Sequence, residues 1–250
     1  MKRIVSSIVT CMLLVLSAQG LRAQDQTFVV TVYGSLLMPL GQFAEQIGTT
    51  ADLTRRLGFD YGEKVGLAKT GFGGGVEVST KVHGNHVSWI LSGKFLSSPT
   101  DVSGITSKFK HDFGDSLDVS FNNGSWTNIP IFTGFKFDYD LVEGISLYGT
   151  IQGGVNVTQQ ATRKAYVEQT VVEETNFKFM ADFGFEAGVG VELLKRFNVG
   201  VRYLNLGSPR YEGTRKLNVT YFPTVPRREM SIDGDERPIS MVIVVLGFQL

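Results

Sequence analysis

Eight charged residues, Glu77, Lys94, Lys136, Asp138, Lys178, Asp182, Glu186 and Arg202, stand at alternate positions within runs that are otherwise apolar or glycine-rich. Four cations against four anions is the composition of an ion-pair network, and charges that leave water in such a setting must pair or carry a heavy desolvation penalty. The same residues admit two other readings: pairs that exchange partners along an ion path, and a carboxylate dyad for acid–base chemistry. The histidines offer less. His83 and His86 flank Gly84-Asn85 with no third metal ligand beside them, short of the three or four ligands of a zinc site. His111 adjoins Asp112 in KFKHDFGD (108–115), a pair that reads as solvated loop sequence. The glycines at 71–75 follow Lys69 and Thr70 and precede a strand pattern, where a phosphate loop requires a helix. No catalytic residue, metal ligand or cofactor is expected from these patterns, and the chain is not read as an enzyme.

The elements that carry the charges are strands. Over 176–191, Phe177, Phe179, Ala181, Phe183, Phe185, Ala187, Val189 and Val191 alternate with Lys178, Met180, Asp182, Gly184, Glu186, Gly188 and Gly190. A period of two defines a strand with one apolar and one polar or glycine face. Sixteen residues is long for a soluble strand but suits a tilted strand that crosses a bilayer and continues above it. Segments 27–36, 70–82, 86–96, 126–139, 144–157, 196–206 and 239–250 share the pattern. Short connections (83–85, 140–143, 192–195) alternate strictly with long ones (37–69, 97–125, 158–175, 207–238), as in a membrane barrel with turns at one end and loops at the other. Aromatic girdles are expected from Phe28, Phe137, Tyr139, Phe197 and Phe248 near the turns, and from Tyr33, Phe72, Phe95, Phe177 and Tyr203 near the loops. A soluble, lipocalin-like barrel would show the same period with its apolar face inside. The glycines favour the membrane reading: Gly73, Gly75, Gly134, Gly154, Gly184, Gly188, Gly190 and Gly200 all share the polar side, where a narrow lumen needs small residues.

The N-terminus has an export pattern: Lys2 and Arg3, an apolar stretch from Ile4 to Leu16, and small residues up to Ala23. Residues 1–23 are expected to be a cleaved signal peptide, and 24–250 a single outer-membrane barrel domain. Cleavage after Ala23 would leave 21 basic and 24 acidic residues, a net charge of −3, which argues against a nucleic-acid partner.

The runs AKTGFGGGVEV (68–78), NIPIFTGFKF (128–137), AGVGVELLKRFNVGVRYLNLGS (187–208) and VLGFQL (245–250) resemble the eight-stranded outer-membrane barrels, of the type of outer-membrane proteins A, X and W, and above all the "porin family" proteins of Bacteroidetes-like bacteria. The resemblance implies an all-β fold, an eight-stranded antiparallel up-and-down transmembrane β-barrel, in the outer membrane of a Gram-negative cell. It implies insertion by the outer-membrane assembly machinery. Many members end in Phe or Trp where this chain ends in Leu250, and Phe248 stands in their place.

The expected role is structural or surface-interacting, with the charged pairs plugging the lumen and the long loops outside. A narrow, low-conductance pore or small-solute conduit is the main alternative, and a soluble periplasmic ligand-binding barrel a weaker one. Arg210, Arg215, Lys216, Arg227 and Arg228 are the candidates for contact with lipopolysaccharide phosphates, since guanidinium forks suit that group. Asp233, Asp235 and Glu236 nearby offer internal pairing instead. A short helix is expected over 43–57. The extracellular partner is not legible.

Overall fold

The structure, a computed structural model, describes residues 28–44, 67–83, 86–103, 106, 119–160, 162–217 and 230–250. The expected signal peptide, His111, Arg227, Arg228 and most of the expected helix at 43–57 lie outside the described residues. In chain order the strands are β1 (Phe28–Leu40), β2 (Gly71–His83), β3 (Val87–Pro99), β4 (Val119–Asn123), β5 (Ser125–Val142), β6 (Ile145–Gln160) and β7 (Arg163–Val167). They continue as β8 (Thr170–Phe177), β9 (Met180–Leu193), β10 (Phe197–Asn205), β11 (Arg210–Leu217), β12 (Met230–Glu236) and β13 (Ser240–Gln249). A four-residue helix, α1 (Gly41–Ala44), follows β1.

Eight of these strands close a barrel in chain order, β1-β2-β3-β5-β6-β9-β10-β13, every neighbour antiparallel and β13 paired back to β1. All eight predicted ribbons are barrel strands. Because side chains alternate along each strand, the wall has an apolar outside, with Phe72, Phe135, Ile151, Phe183, Val189, Val201 and Leu246 exposed, and an inside of Glu77, Lys94, Gln152, Glu186 and Arg202. The inside is layered. Toward the end bearing the long connections it becomes apolar, with Leu37, Leu96, Trp126, Phe132, Leu204, Met241 and Ile243 in one cluster. Phe43 of α1 joins that cluster from the first long connection, its ring 5.4 Å from Trp126 and nearly edge-on.

Two expectations are corrected. The ribbon at 176–191 is broken: β8 ends at Phe177 and β9 begins at Met180, with Lys178 and Phe179 both exposed. Two consecutive outward residues swap the faces, so Phe177 turns inward against Tyr211 (6.5 Å) rather than joining a girdle. Tyr33 is also inside the barrel, buried, with the Arg202 guanidinium 5.2 Å from its ring.

Three of the four long connections also contain regular structure. They contribute β4, β7, β8, β11 and β12, which form a second antiparallel sheet in the order β12-β11-β8-β7-β4. Tyr211 of this sheet packs edge-on against Trp126 at 5.5 Å, which joins the sheet's inner face to the apolar end of the lumen. The β7–β8 hairpin turns on Glu168 and Gln169, both left-handed (φ 47° and 66°). That is the geometry of a tight hairpin turn, usually signalled by Asn-Gly, and its absence from the sequence hid the hairpin.

Glycine lets bulky side chains fill the lumen. A methyl group on Gly190 or Gly200 would overlap the Tyr148 ring and hydroxyl, whereas nothing lies within 4 Å of a Cβ at Gly34 or Gly93. Gly190→Ala and Gly200→Ala are expected to cost about 1–3 kcal/mol by overpacking. Gly34→Ala and Gly93→Ala are expected to be near neutral, the two pairs being compared by urea unfolding in lipid vesicles.

Candidate functional site: a filled lumen below an outer sheet

Four of the eight predicted charges meet at one level. Lys94 Nζ lies 2.9 Å from Glu186 Oε2, and Arg202 Nη1 lies 2.9 Å from Glu186 Oε1 and 3.1 Å from Glu77 Oε2. Their side chains are between 0% and 7% exposed. Two neutral residues close a circuit around them. Lys94 donates to Ser92 Oγ (2.9 Å), Ser92 donates to Gln152 Oε1 (2.7 Å), and Gln152 Nε2 donates to Glu186 Oε1 (3.0 Å). Ser92 and Gln152 were absent from the sequence-derived set because only charges were sought. Both share the inward parity of their strands and were legible on that ground.

Lys136 and Asp138 form a second level nearer the short turns. Lys136 Nζ lies 3.0 Å from Asp138 and 2.9 Å from Glu192, Gln249 donates to Glu192 (2.9 Å), and Lys81 reaches Asp138 at 3.0 Å. Glu192 continues the inward series of β9 beyond residue 191, where the predicted ribbon stopped. The Lys136 ammonium stands 5.0 Å from the Tyr148 ring centroid, so aromatic faces separate the two ionic levels.

The remaining two predicted charges are elsewhere. Lys178 is outside the lumen, paired with Glu212 at 3.0 Å with both side chains more than half exposed, because the break before β9 turns it outward. Asp182 sits at the rim, where its carboxylate accepts from the Ser208 and Phe183 amides, the latter at 2.7 Å. It fastens the end of β10 and takes no part in the ion-pair levels.

On the outer sheet, Arg210, Arg215 and Lys216 all lie on β11. Arg215 points to the inner face, where Nη2 meets Glu173 at 2.8 Å. Burial pushes the Glu173 carboxyl up while Arg215 draws it back. Arg215 pairs on the inner face, while Arg210 and Lys216 are exposed on the strand and hold contacts of their own. Of the histidines, His86 is exposed, its Nδ1 3.2 Å from the Asp138 carbonyl. Among the described residues, no three His, Cys, Asp or Glu side chains gather as a metal site.

The two described ends of the first long connection meet beside the apolar cluster. The Ala68 amide donates to the Phe43 carbonyl (2.9 Å), and the Asp101 amide donates to the Leu67 carbonyl (2.7 Å). Asp101 also accepts from the Ser103 hydroxyl (2.6 Å) and amide (3.0 Å) and pairs with Lys69 (3.0 Å).

No known family matches the sequence, and no curated protein matches it. Solved structures do. Neisserial surface protein A is 9% identical over 91% of this chain and 99% of its own, with a TM-score of 0.43. The attachment invasion locus protein Ail of Yersinia pestis is 11% identical over 89% and 98%, with a TM-score of 0.40. The outer membrane protein AlkL is 10% identical over 89% of each chain, with a TM-score of 0.39.

Two predictions arise from this geometry. Glu186→Ala leaves Lys94 and Arg202 buried with too little counter-charge and is expected to cost about 3–5 kcal/mol, read as a lowered urea midpoint. The Asp101 carboxyl is held below its ordinary value, first by the Ser103 hydroxyl and further by the Ser103 amide and Lys69, with burial opposing. Its pKa is lowered on folding, so its stabilisation is full above the ordinary carboxylate value and is lost as pH falls through the lowered one. Amide exchange at Ala68 and Ser103 is expected to accelerate over that acid range, and Asp101→Asn to remove the dependence.

Proposed function

We propose that this protein is an integral outer-membrane barrel, exported by a cleaved signal peptide and inserted by the outer-membrane assembly machinery. On this reading the lumen is structural and the outer sheet carries the role at the cell surface. The observation that carries it is the pairing of an apolar outer wall with an ionic interior in which Lys94 and Glu186 are wholly buried. Such a wall is costly in water and suited to hydrocarbon. The inside is filled by side chains, as expected of eight strands, which disfavours an open pore. Among the described residues, what remains available to partners is the exposed face of the five-stranded sheet, with Lys164–Glu174 (3.8 Å) and Lys178–Glu212 pairs across its strands. Arg210 and Lys216 are placed to meet lipopolysaccharide phosphates. The chemistry proposed is binding, without catalysis or cofactor.

The two tryptophans test the orientation. Trp126 is inside and wholly buried, while Trp89 lies half-buried at an outward position of β3. In vesicles of acyl-brominated phosphatidylcholine, fluorescence of the Trp126→Phe variant, which reports Trp89, is expected to be strongly quenched. The Trp89→Phe variant, which reports Trp126, is expected to be spared. The reverse pattern would mean that the barrel is inside out. Planar-bilayer recording addresses the role: silence accords with a structural lumen, and steady discrete openings would replace it with the narrow-pore reading.

A further inference from the structure

Within the apolar half of the lumen one group of polar side chains is fully enclosed. Asn128 on β5 is 1% exposed, and Asn156 and Thr158 on β6 are both 0% exposed. Asn156 Nδ2 donates to Asn128 Oδ1 at 3.2 Å and to the Leu206 carbonyl at 3.4 Å, and the Thr158 hydroxyl donates to the same Asn128 oxygen. Asn128 Nδ2 and Asn156 Oδ1, one donor and one acceptor, have no partner in the fold. Exchanging oxygen and nitrogen in both amides does not remove the mismatch, because it leaves an open acceptor on Asn128 and an open donor on Asn156. One strand step nearer the mouth, Gln160 Oε1 and Ser98 Oγ are also open, each across from Trp126 in the strand register. Buried polar groups in native folds are satisfied by protein or by ordered water, and water both donates and accepts.

Between this group and the Lys94–Glu186 level lies Phe132, a member of the apolar cluster, opposite Gly154 in the strand register. The inward positions of β6 run Gln152, Gly154, Asn156. Phe132, wholly buried, lies over the gap that Gly154 leaves: a Cβ there would come 3.1 Å from a ring carbon, and one on Gly184 would come 3.0 Å from another. On its other side the Lys94 ammonium is 5.3 Å from the ring centroid. The geometry points to a buried water site at Asn128 and Asn156, with Phe132 as the dry gate between it and the ion-pair level. This inference rests on the reading of the barrel as membrane-embedded and closed, and it adds a dry layer above the ion pairs. Ionic pairing satisfies the charges without excluding water, whereas an aromatic ring seated on two glycines does exclude it.

The test uses the full chain folded into lipid vesicles and planar bilayers, with the heat-dependent gel shift certifying each variant as folded. Water-edited NMR is expected to transfer magnetisation from water to the Asn128 and Asn156 side-chain amides, and no transfer would overturn the water site. Phe132→Ala is expected to raise that transfer at the Gln152 side-chain amide of the ion-pair level, while Phe132→Leu, equally dry, leaves Gln152 as in the wild type. Adding Thr158→Val or Asn156→Leu to Phe132→Ala is expected to reduce the transfer at Gln152. A folded Phe132→Ala with no added transfer at Gln152 overturns the gate, and double variants with as much transfer as Phe132→Ala overturn the site's part in the path. A wild type with as much transfer at Gln152 as Phe132→Ala would overturn the gate, and steady single-channel openings of the wild type would overturn the closed-lumen reading, leaving the water site to be judged by the transfer to Asn128 and Asn156.

Discussion

Glu186 accepts Lys94 from β3 and Arg202 from β10 at 2.9 Å each, and Arg202 extends to Glu77 on β2. Glu186 and Arg202 stand on neighbouring strands, but the Lys94–Glu186 and Arg202–Glu77 contacts cross the lumen between strands three apart around the wall, so the group fixes the wall's diameter as well as its charge balance. Two cations and two anions cancel at this level. A buried group of this kind adds little net stability relative to apolar packing, but it penalises every arrangement that separates its members. A strand register shifted by one residue would turn an entire inward set outward, placing Glu186 or Arg202 against the apolar exterior. The ion pairs thereby select one closure of the sheet from the several that hydrogen bonding alone permits.

Everything else inside accommodates that level. Arg202 is covered on one side by the Tyr33 ring, and Tyr148 occupies the space that Gly190 and Gly200 leave vacant. Small residues opposite large ones let eight strands close around rings that a uniform lining would exclude. The same device recurs higher up, where Gly154 and Gly184 receive Phe132. Glycine is poor in a strand on entropic grounds, and its concentration on the inward face marks positions where room for a partner outweighs that cost.

The barrel was largely legible because both of its signals, the period of two and the alternation of short and long connections, are local properties of the sequence. Two misplacements share one cause. Faces were assigned by counting in twos through residue 178, and a two-residue break there sent Lys178 and Phe177 to the wrong sides. Tyr33 was assigned by its aromatic type, although its parity with Thr31 and Ser35 put it inside. The outer sheet was harder to read. Its strands are short, its hairpin turns on Glu168-Gln169 without a glycine or asparagine, and its inner face mixes Glu173 and Arg215 with Tyr211 and Phe177, so that no hydrophobic alternation survives.

That mixture bears on where a partner could be met. On a lipid-facing ribbon the two faces differ sharply because two different solvents touch them. Beyond the rim one face of the sheet is exposed and the other packs on Trp126 through Tyr211, so neither meets hydrocarbon and strict alternation is no longer imposed. Arg215 and Glu173 are nonetheless withdrawn into a pair 2.8 Å long, while Arg210 and Lys216 of the same strand remain on the surface. The sheet thus spends some of its charge on holding its own strands together.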